Sequence, residues 1–202
     1  MATDLSNLDK FLKCDSTASE SENMIKSCNY NIDEILTKAK EKGIKTIPLD
    51  IRKVVSNIFD IEIIETDLGR EVSGFLERIN MSWKIYINRY ESESRKRFTI
   101  AHELGHFVYH RDKYSSGSVS TPDQIFFRDE NVLSPIEQEA NNFAANLLMP
   151  EDVFKKYIDS GVRKIVDLAD RFQLSTSAIK YRAYKLGMLS EYKWVNIVIF
   201  LS

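Results

Sequence analysis

All three histidines of this chain fall within nine residues, in the run Thr99-Ile-Ala-His-Glu-Leu-Gly-His-Phe-Val-Tyr-His110. The first two frame a His-Glu-x-x-His pattern: His102, Glu103, His106. On a helix, residues i and i+4 share one face. Two imidazoles at that spacing can grip one metal ion, and the intervening glutamate can face water at that ion. Zinc takes nitrogen ligands of this kind, together with a third protein ligand and one open position. The competing reading is a solvated histidine face on an ordinary helix. The flanking residues Phe98, Ile100, Ala101, Leu104, Phe107 and Val108 argue against it, because such neighbours half-bury the face.

A metal-binding helix of this kind must be enclosed, and 202 residues suffice for a core of one medium domain or two small ones. The net charge of −2 argues against a general nucleic-acid binder. The first thirty residues carry scattered charges and no apolar run, so no signal peptide is expected. The terminal run Trp194–Leu201 is too short to span a bilayer. Cys14 and Cys28 read as free thiols. Their spacing matches no common zinc pairing. These features point to a cytoplasmic protein with no membrane association.

Residues 1–30 read as a short helix over Leu5–Leu12 and a loosely ordered polar stretch. Helical spacing is expected over Asn31–Lys42, ended by Gly43, and again over Leu49–Phe59. Ile61–Glu65 reads as a strand. Gly74–Ile79 and Trp83–Asn88 read as a hairpin around Asn80. Ser92 or Ser94 caps a helix through the histidines to about Tyr109. Arg111–Leu133 reads as a long loop. Ser134 and Pro135 then open a helix that Pro150 stops. Beyond it lie helices with a helix-turn-helix look over Ile165–Leu186, and a terminal strand.

Candidates for a third metal ligand are His110, Asp112, Glu137 and Glu139. The apolar face of the helix after Ser134 centres near Ala140 and Leu147. Glu137 lies about 60° from that centre and Glu139 about 100°. Glu137 is thus the more inward carboxylate, with Asn141 one turn on, placed to orient a ligand. Ser134-x-x-Glu137 also fits a capping box, in which the glutamate only satisfies a backbone N–H. Geometry on the helix leaves ligand and cap both open. Three ligands at i, i+4 and i+8 do not easily reach one ion, so His110 reads as a loop anchor or a polar group of the site.

Arg97-Phe-Thr-Ile-Ala-His-Glu-Leu-Gly-His106, with Glu137-x-x-Ala-Asn-x-Phe-Ala-Ala-x-Leu-Leu-Met-Pro150, resembles the ImmA/IrrE family of metallo-endopeptidases. Ser73-Gly-Phe-Leu76 and Ile85-Tyr-Ile-Asn88 fit the same pattern, and the likeness covers roughly Ile47 to Leu189. The resemblance implies an α+β fold. A small zincin-like domain sets a short twisted sheet over the His-Glu-x-x-His helix and a glutamate helix. A helix-turn-helix-like region follows. The corresponding segments are 1–45 (N-terminal, helical or loosely ordered), 46–150 (zincin-like) and 151–202 (helical, with a terminal strand).

The resemblance further implies His102, His106 and Glu137 as ligands, Glu103 as general base, and one zinc per chain or another divalent metal such as manganese. It implies a protein substrate, a helix-turn-helix repressor of phage, mobile-element, toxin–antitoxin or stress regulation. Tyr109, His110, Tyr114 and Arg97 are candidates to stabilise the oxyanion or touch substrate. The strand Trp83–Asn88 is a candidate edge for an extended peptide. The alternative function is a DNA-binding regulator with a structural or vestigial metal site. Between Gly161 and Lys193, seven basic residues (Arg163, Lys164, Arg171, Lys180, Arg182, Lys185, Lys193) meet three acidic ones, a small excess, so direct DNA binding is not expected. A third reading is a pseudo-enzyme or toxin-like partner. A purely structural zinc has no use for a free glutamate, which argues against it.

Overall fold

The computed structural model describes residues 30–80, 82–113 and 134–189. The expected Leu5–Leu12 helix, both cysteines, Tyr114, most of the long loop and the terminal strand lie outside these residues. Within them the chain is α+β. Helices α1 (Ile32–Glu41) and α2 (Ile51–Phe59) precede strands β1 (Glu62–Thr66), β2 (Gly74–Ile79) and β3 (Ser82–Asn88). Then come α3 (Glu93–His110), α4 (Pro135–Leu148), α5 (Glu151–Asp159), α6 (Ile165–Phe172) and α7 (Thr176–Lys185).

The helices begin where short polar side chains satisfy first-turn N–H groups. Asn31, Asp50, Ser92 and Ser175 accept from the backbone N–H of Asp33, Lys53, Arg95 and Ala178. Ser92, not Ser94, caps the histidine helix, which runs one residue past Tyr109 to His110. Gly43, at φ +67°, turns the chain out of α1. Asn80, at φ +55°, serves the hairpin turn, a conformation its short polar side chain tolerates.

The sheet has the order β1-β3-β2. β3 runs parallel to β1, with Ile63 beside Ile85, and antiparallel to β2, with Leu76 beside Ile85. The strand Trp83–Asn88 is therefore central, and both of its hydrogen-bonding edges are filled. It cannot receive a peptide as an added strand, contrary to the expectation from its sequence. Asn88 closes β3: its amide donates to the Val72 carbonyl at 2.9 Å, and its oxygen accepts from the Tyr90 N–H at 3.2 Å.

α3 is the central element, buried from Phe98 to His106 and again at Val108 and His110. Gly74 lets β2 approach it. A β-carbon there would lie 2.5 Å from the Thr99 methyl and 2.7 Å from the Tyr86 carbonyl oxygen. Lys96 is buried too, and bonds Glu65 at 2.8 Å and Glu93 at 3.1 Å, which ties β1 to the first turn of α3. Apolar residues from Ile35 to Leu189 form one cluster. Leu168, Phe172, Leu174 and Ile179, from α6, α7 and the turn between them, are buried in this core. Among the described residues no helix is long and apolar enough to cross a membrane.

Candidate metal centre

His102 and His106 face α4 from one side of α3. Their Nε2 atoms are 3.0 Å apart. Glu137, in the first turn of α4, brings one carboxylate oxygen 3.1 Å from His102 Nε2 and the other 3.4 Å from His106 Nε2. One ligand atom from each of the three residues lies within 4.8 Å of the others. The capping question has a two-part answer. The Glu137 backbone N–H donates to Ser134 Oγ at 3.4 Å, while its side chain points to the imidazoles. Cap and convergence coexist because they use different atoms of the same residue.

Two helices can meet this closely because Gly105 has no side chain. A β-carbon there would lie 3.1 Å from the Cα of Ala140. Glu103, one position on from His102, is fully buried. Asn141 Oδ1 lies 2.9 Å from His102 Nδ1. His106 Nδ1 lies 3.2 Å from His110 Nδ1, and His110 Nε2 lies 2.8 Å from Glu139 Oε2. Glu139, which helix geometry alone turns away from the core, is solvent-exposed and still meets the third histidine. Spacing on one helix carries no signal for this contact, because it depends on how α3 and α4 cross.

The electrostatics favour a cation. Burial pushes the His102 imidazole down to about 4, so it is neutral near pH 7. Burial works to raise the Glu137 carboxyl, but its bonds to both imidazoles hold it well below the usual carboxylate range. A neutral imidazole at His102 and an ionised carboxylate at Glu137 are the ligand states a metal needs. The Asn141 oxygen is an acceptor only, so the His102 proton belongs on Nδ1. The His102 Nε2 lone pair then points at the carboxylate and at the other imidazole. Lone pairs gathered so closely repel unless a proton or a cation lies among them. The donor set of two nitrogens and one carboxylate is the one a catalytic zinc uses.

The other candidates lie elsewhere. Arg97 does not face the histidines. Its guanidinium donates to the carbonyls of Leu49 at 2.8 Å and Gln173 at 3.1 Å, and five helical residues place it about 140° round from His102. It pins the end of α6 to α3. Asp112 is exposed in a short turn after α3, outside the cluster. Tyr109 packs edge-on against Phe143 with ring centres 5.4 Å apart. His110 lies outside the ligand cluster and against its rim.

A family model described as the IrrE N-terminal-like domain, Peptidase_M78, matches residues 57–184. Over 105 residues the chain is 30% identical to a protein of Bacillus phage phi105 called "Uncharacterized immunity region protein 2", covering 51% of this chain and 61% of that one. Over 136 residues it is 32% identical to "Radiation response metalloprotease IrrE" of Deinococcus radiodurans, covering 65% of this chain and 39% of that one. The chain therefore spans less than two thirds of either relative. A solved structure described as a Mycobacterium tuberculosis transcriptional regulator shares the fold. Its TM-score is 0.53 at 17% identity, covering 75% of this chain and 45% of that one.

Proposed function

The chain belongs to the IrrE N-terminal-like family, Peptidase_M78, the ImmA/IrrE group that its paired motifs resemble, and from that premise we propose that it is a zinc-dependent endopeptidase. The observation that carries the reading is the convergence of His102, His106 and Glu137 beside the buried Glu103. On this reading the sheet, α3 and α4 are a small zincin-like unit, and α6 with α7 is a helix-turn-helix-like appendage.

His102, His106 and Glu137 hold the metal, and Asn141 orients His102. A metal held there would supply Lewis acidity toward a carbonyl and would lower the pKa of water toward neutrality. Manganese is the alternative occupant. Glu103 accepts the proton of the attacking water and delivers it to the leaving amine. Its burial keeps that transfer away from bulk solvent. Tyr109 is the remaining described candidate to meet the oxyanion, since its position seven residues after His102 lies within about 20° of the same helix face.

The substrate we infer is a repressor-like protein with a helix-turn-helix domain. A phage immunity-region relative and a relative named as a radiation-response metalloprotease support that class. The test is co-expression with a helix-turn-helix repressor, read as cleavage that depends on Glu103. The DNA-binding alternative finds little support in the side chains. Arg182 is buried and donates to the Met149 carbonyl at 2.9 Å and to Asn146 at 2.6 Å. Arg163 donates to the Ile158 carbonyl, and Arg171 stacks over Tyr157.

A further inference from the structure

We propose that His110 and Glu139 are positioning residues that fix the tautomer and ring orientation of His106 for metal binding. The inference rests on the metal-site reading above. It starts from a buried side chain that the hydrolytic scheme does not use. His110 is 2% exposed, yet both of its ring nitrogens are engaged.

The direction of the chain of bonds follows from its outer end. The Glu139 carboxylate accepts and does not donate, so the proton it meets at 2.8 Å sits on His110 Nε2. A neutral imidazole protonated at Nε2 has its lone pair on Nδ1. That lone pair faces His106 Nδ1 at 3.2 Å, so the proton between them belongs to His106. His106 protonated at Nδ1 leaves its Nε2 lone pair pointing to His102 and Glu137. The carboxylate at the solvent end thereby selects the ligating nitrogen at the buried end. His102 receives the same service in one step from Asn141 Oδ1 at 2.9 Å. Each ligating imidazole thus has its own acceptor, and the acceptors come from different parts of the two helices.

The partners outside a ligating histidine typically govern metal affinity about 10–100-fold. The opposing interpretation is a plain tether, in which His110 only fastens the end of α3 to α4. Removing the acceptor while keeping the bulk separates the two. His110→Leu fills the space but accepts nothing. His110→Asn restores an acceptor oxygen close to the Nδ1 position. Glu139→Ala cuts the outer end at an exposed site, where folding is not at risk.

The experiment measures zinc affinity of the purified full chain by chelator competition at fixed pH, together with unfolding of the metal-free protein. Long-range nitrogen–proton spectra report the His106 tautomer. His110→Leu should weaken zinc about 10–100-fold, and His110→Asn should recover most of the loss. Glu139→Ala should weaken zinc in the same direction and shift the His106 spectrum from its Nδ1–H form, with metal-free stability nearly unchanged. Wild-type affinity in the Leu variant would overturn the inference. So would equal losses in the Leu and Asn variants that follow their unfolding. His102→Ala and Glu137→Gln are run beside them. If these two bind zinc like the wild type, the metal-site reading fails and takes this inference with it. If they lose zinc while the His110 and Glu139 variants do not, only the inference fails.

Discussion

Gly105 stands against the backbone of Ala140: a β-carbon built on it would lie 3.1 Å from the Ala140 Cα and 3.3 Å from its carbonyl oxygen. Backbone atoms cannot rotate aside, so any side chain there moves one helix. Gly105→Val should destabilise the protein by about 1–3 kcal/mol through overpacking, even though glycine is itself a poor residue inside a helix. Zinc affinity should fall with it, because the helix displaced carries Glu137 and Asn141. Urea unfolding and a zinc titration of the variant check both halves. Unchanged affinity would mean that the close approach does not set the site.

Glu103→Gln should hold the fold and the metal while cleavage falls by about 10²–10⁴-fold. The amide is nearly the same size in its buried place, but it cannot take a proton from water. Metal content and rate, measured on the same preparation, decide the matter. Near wild-type cleavage would remove Glu103 from the proton transfer.

The two glutamates of α4 should separate cleanly. Glu137→Gln removes the carboxylate that meets both imidazoles, and its zinc loss should exceed the roughly 100-fold that an outer residue costs. Glu139→Gln keeps an acceptor toward His110 and should stay close to wild type. Metal analysis of both variants after dialysis reads this directly. Loss of metal from the Glu139 variant alone would reverse the ligand assignment.

What the sequence could and could not disclose follows from the range of each interaction. Ser92, Ser134 and Gly43 act within one helical turn, so the boundaries they set were legible. The inward lean of Glu137 was legible too, because it depends only on angle within α4. The central place of β3 was not: its parallel pairing with β1 comes from a crossover that leaves no local pattern. Arg97 sits in the motif run, yet its partners include a carbonyl 76 residues away. The contact between His110 and Glu139 needs the crossing of α3 and α4, which Gly105 permits but does not announce.

The metal-free protein should lose stability as pH falls from about 6.5 toward 4. Burial lowers the His102 pKa to about 4 in the folded state. In the unfolded chain it titrates near 6.5. Between those values the unfolded state binds the proton and the folded state does not, so stability rises with pH across this window. The contribution is fully present above about 6.5 and is lost by about 4, at most roughly 3 kcal/mol. Glu137, lowered by its imidazole partners, adds a loss of the same sign at more acid pH. Urea unfolding of chelator-treated protein at several pH values should show this slope, and His102→Gln should flatten it.

The region from Gly161 to Leu189 should not bind duplex DNA at physiological salt. DNA affinity comes largely from counterions released as basic side chains neutralise phosphates, and each phosphate adds a slope of about −0.9 in log K against log salt. The arginines that could do this are occupied within the chain. Arg182 is buried against the end of α4, Arg163 holds the end of α5, and Arg171 lies 4.9 Å over the Tyr157 ring. Lys185 lies 5.5 Å over the Tyr181 ring. Lys164 and Lys180 are the region's other lysines, on a chain whose net charge is −2. Two lysines predict a salt slope no steeper than about −2 and correspondingly weak binding. Fluorescence anisotropy with labelled duplex at two salt concentrations measures it. Tight binding to one sequence with a steep slope would instead favour the regulator reading, and Arg182→Met would then have to weaken DNA binding more than it weakens the fold.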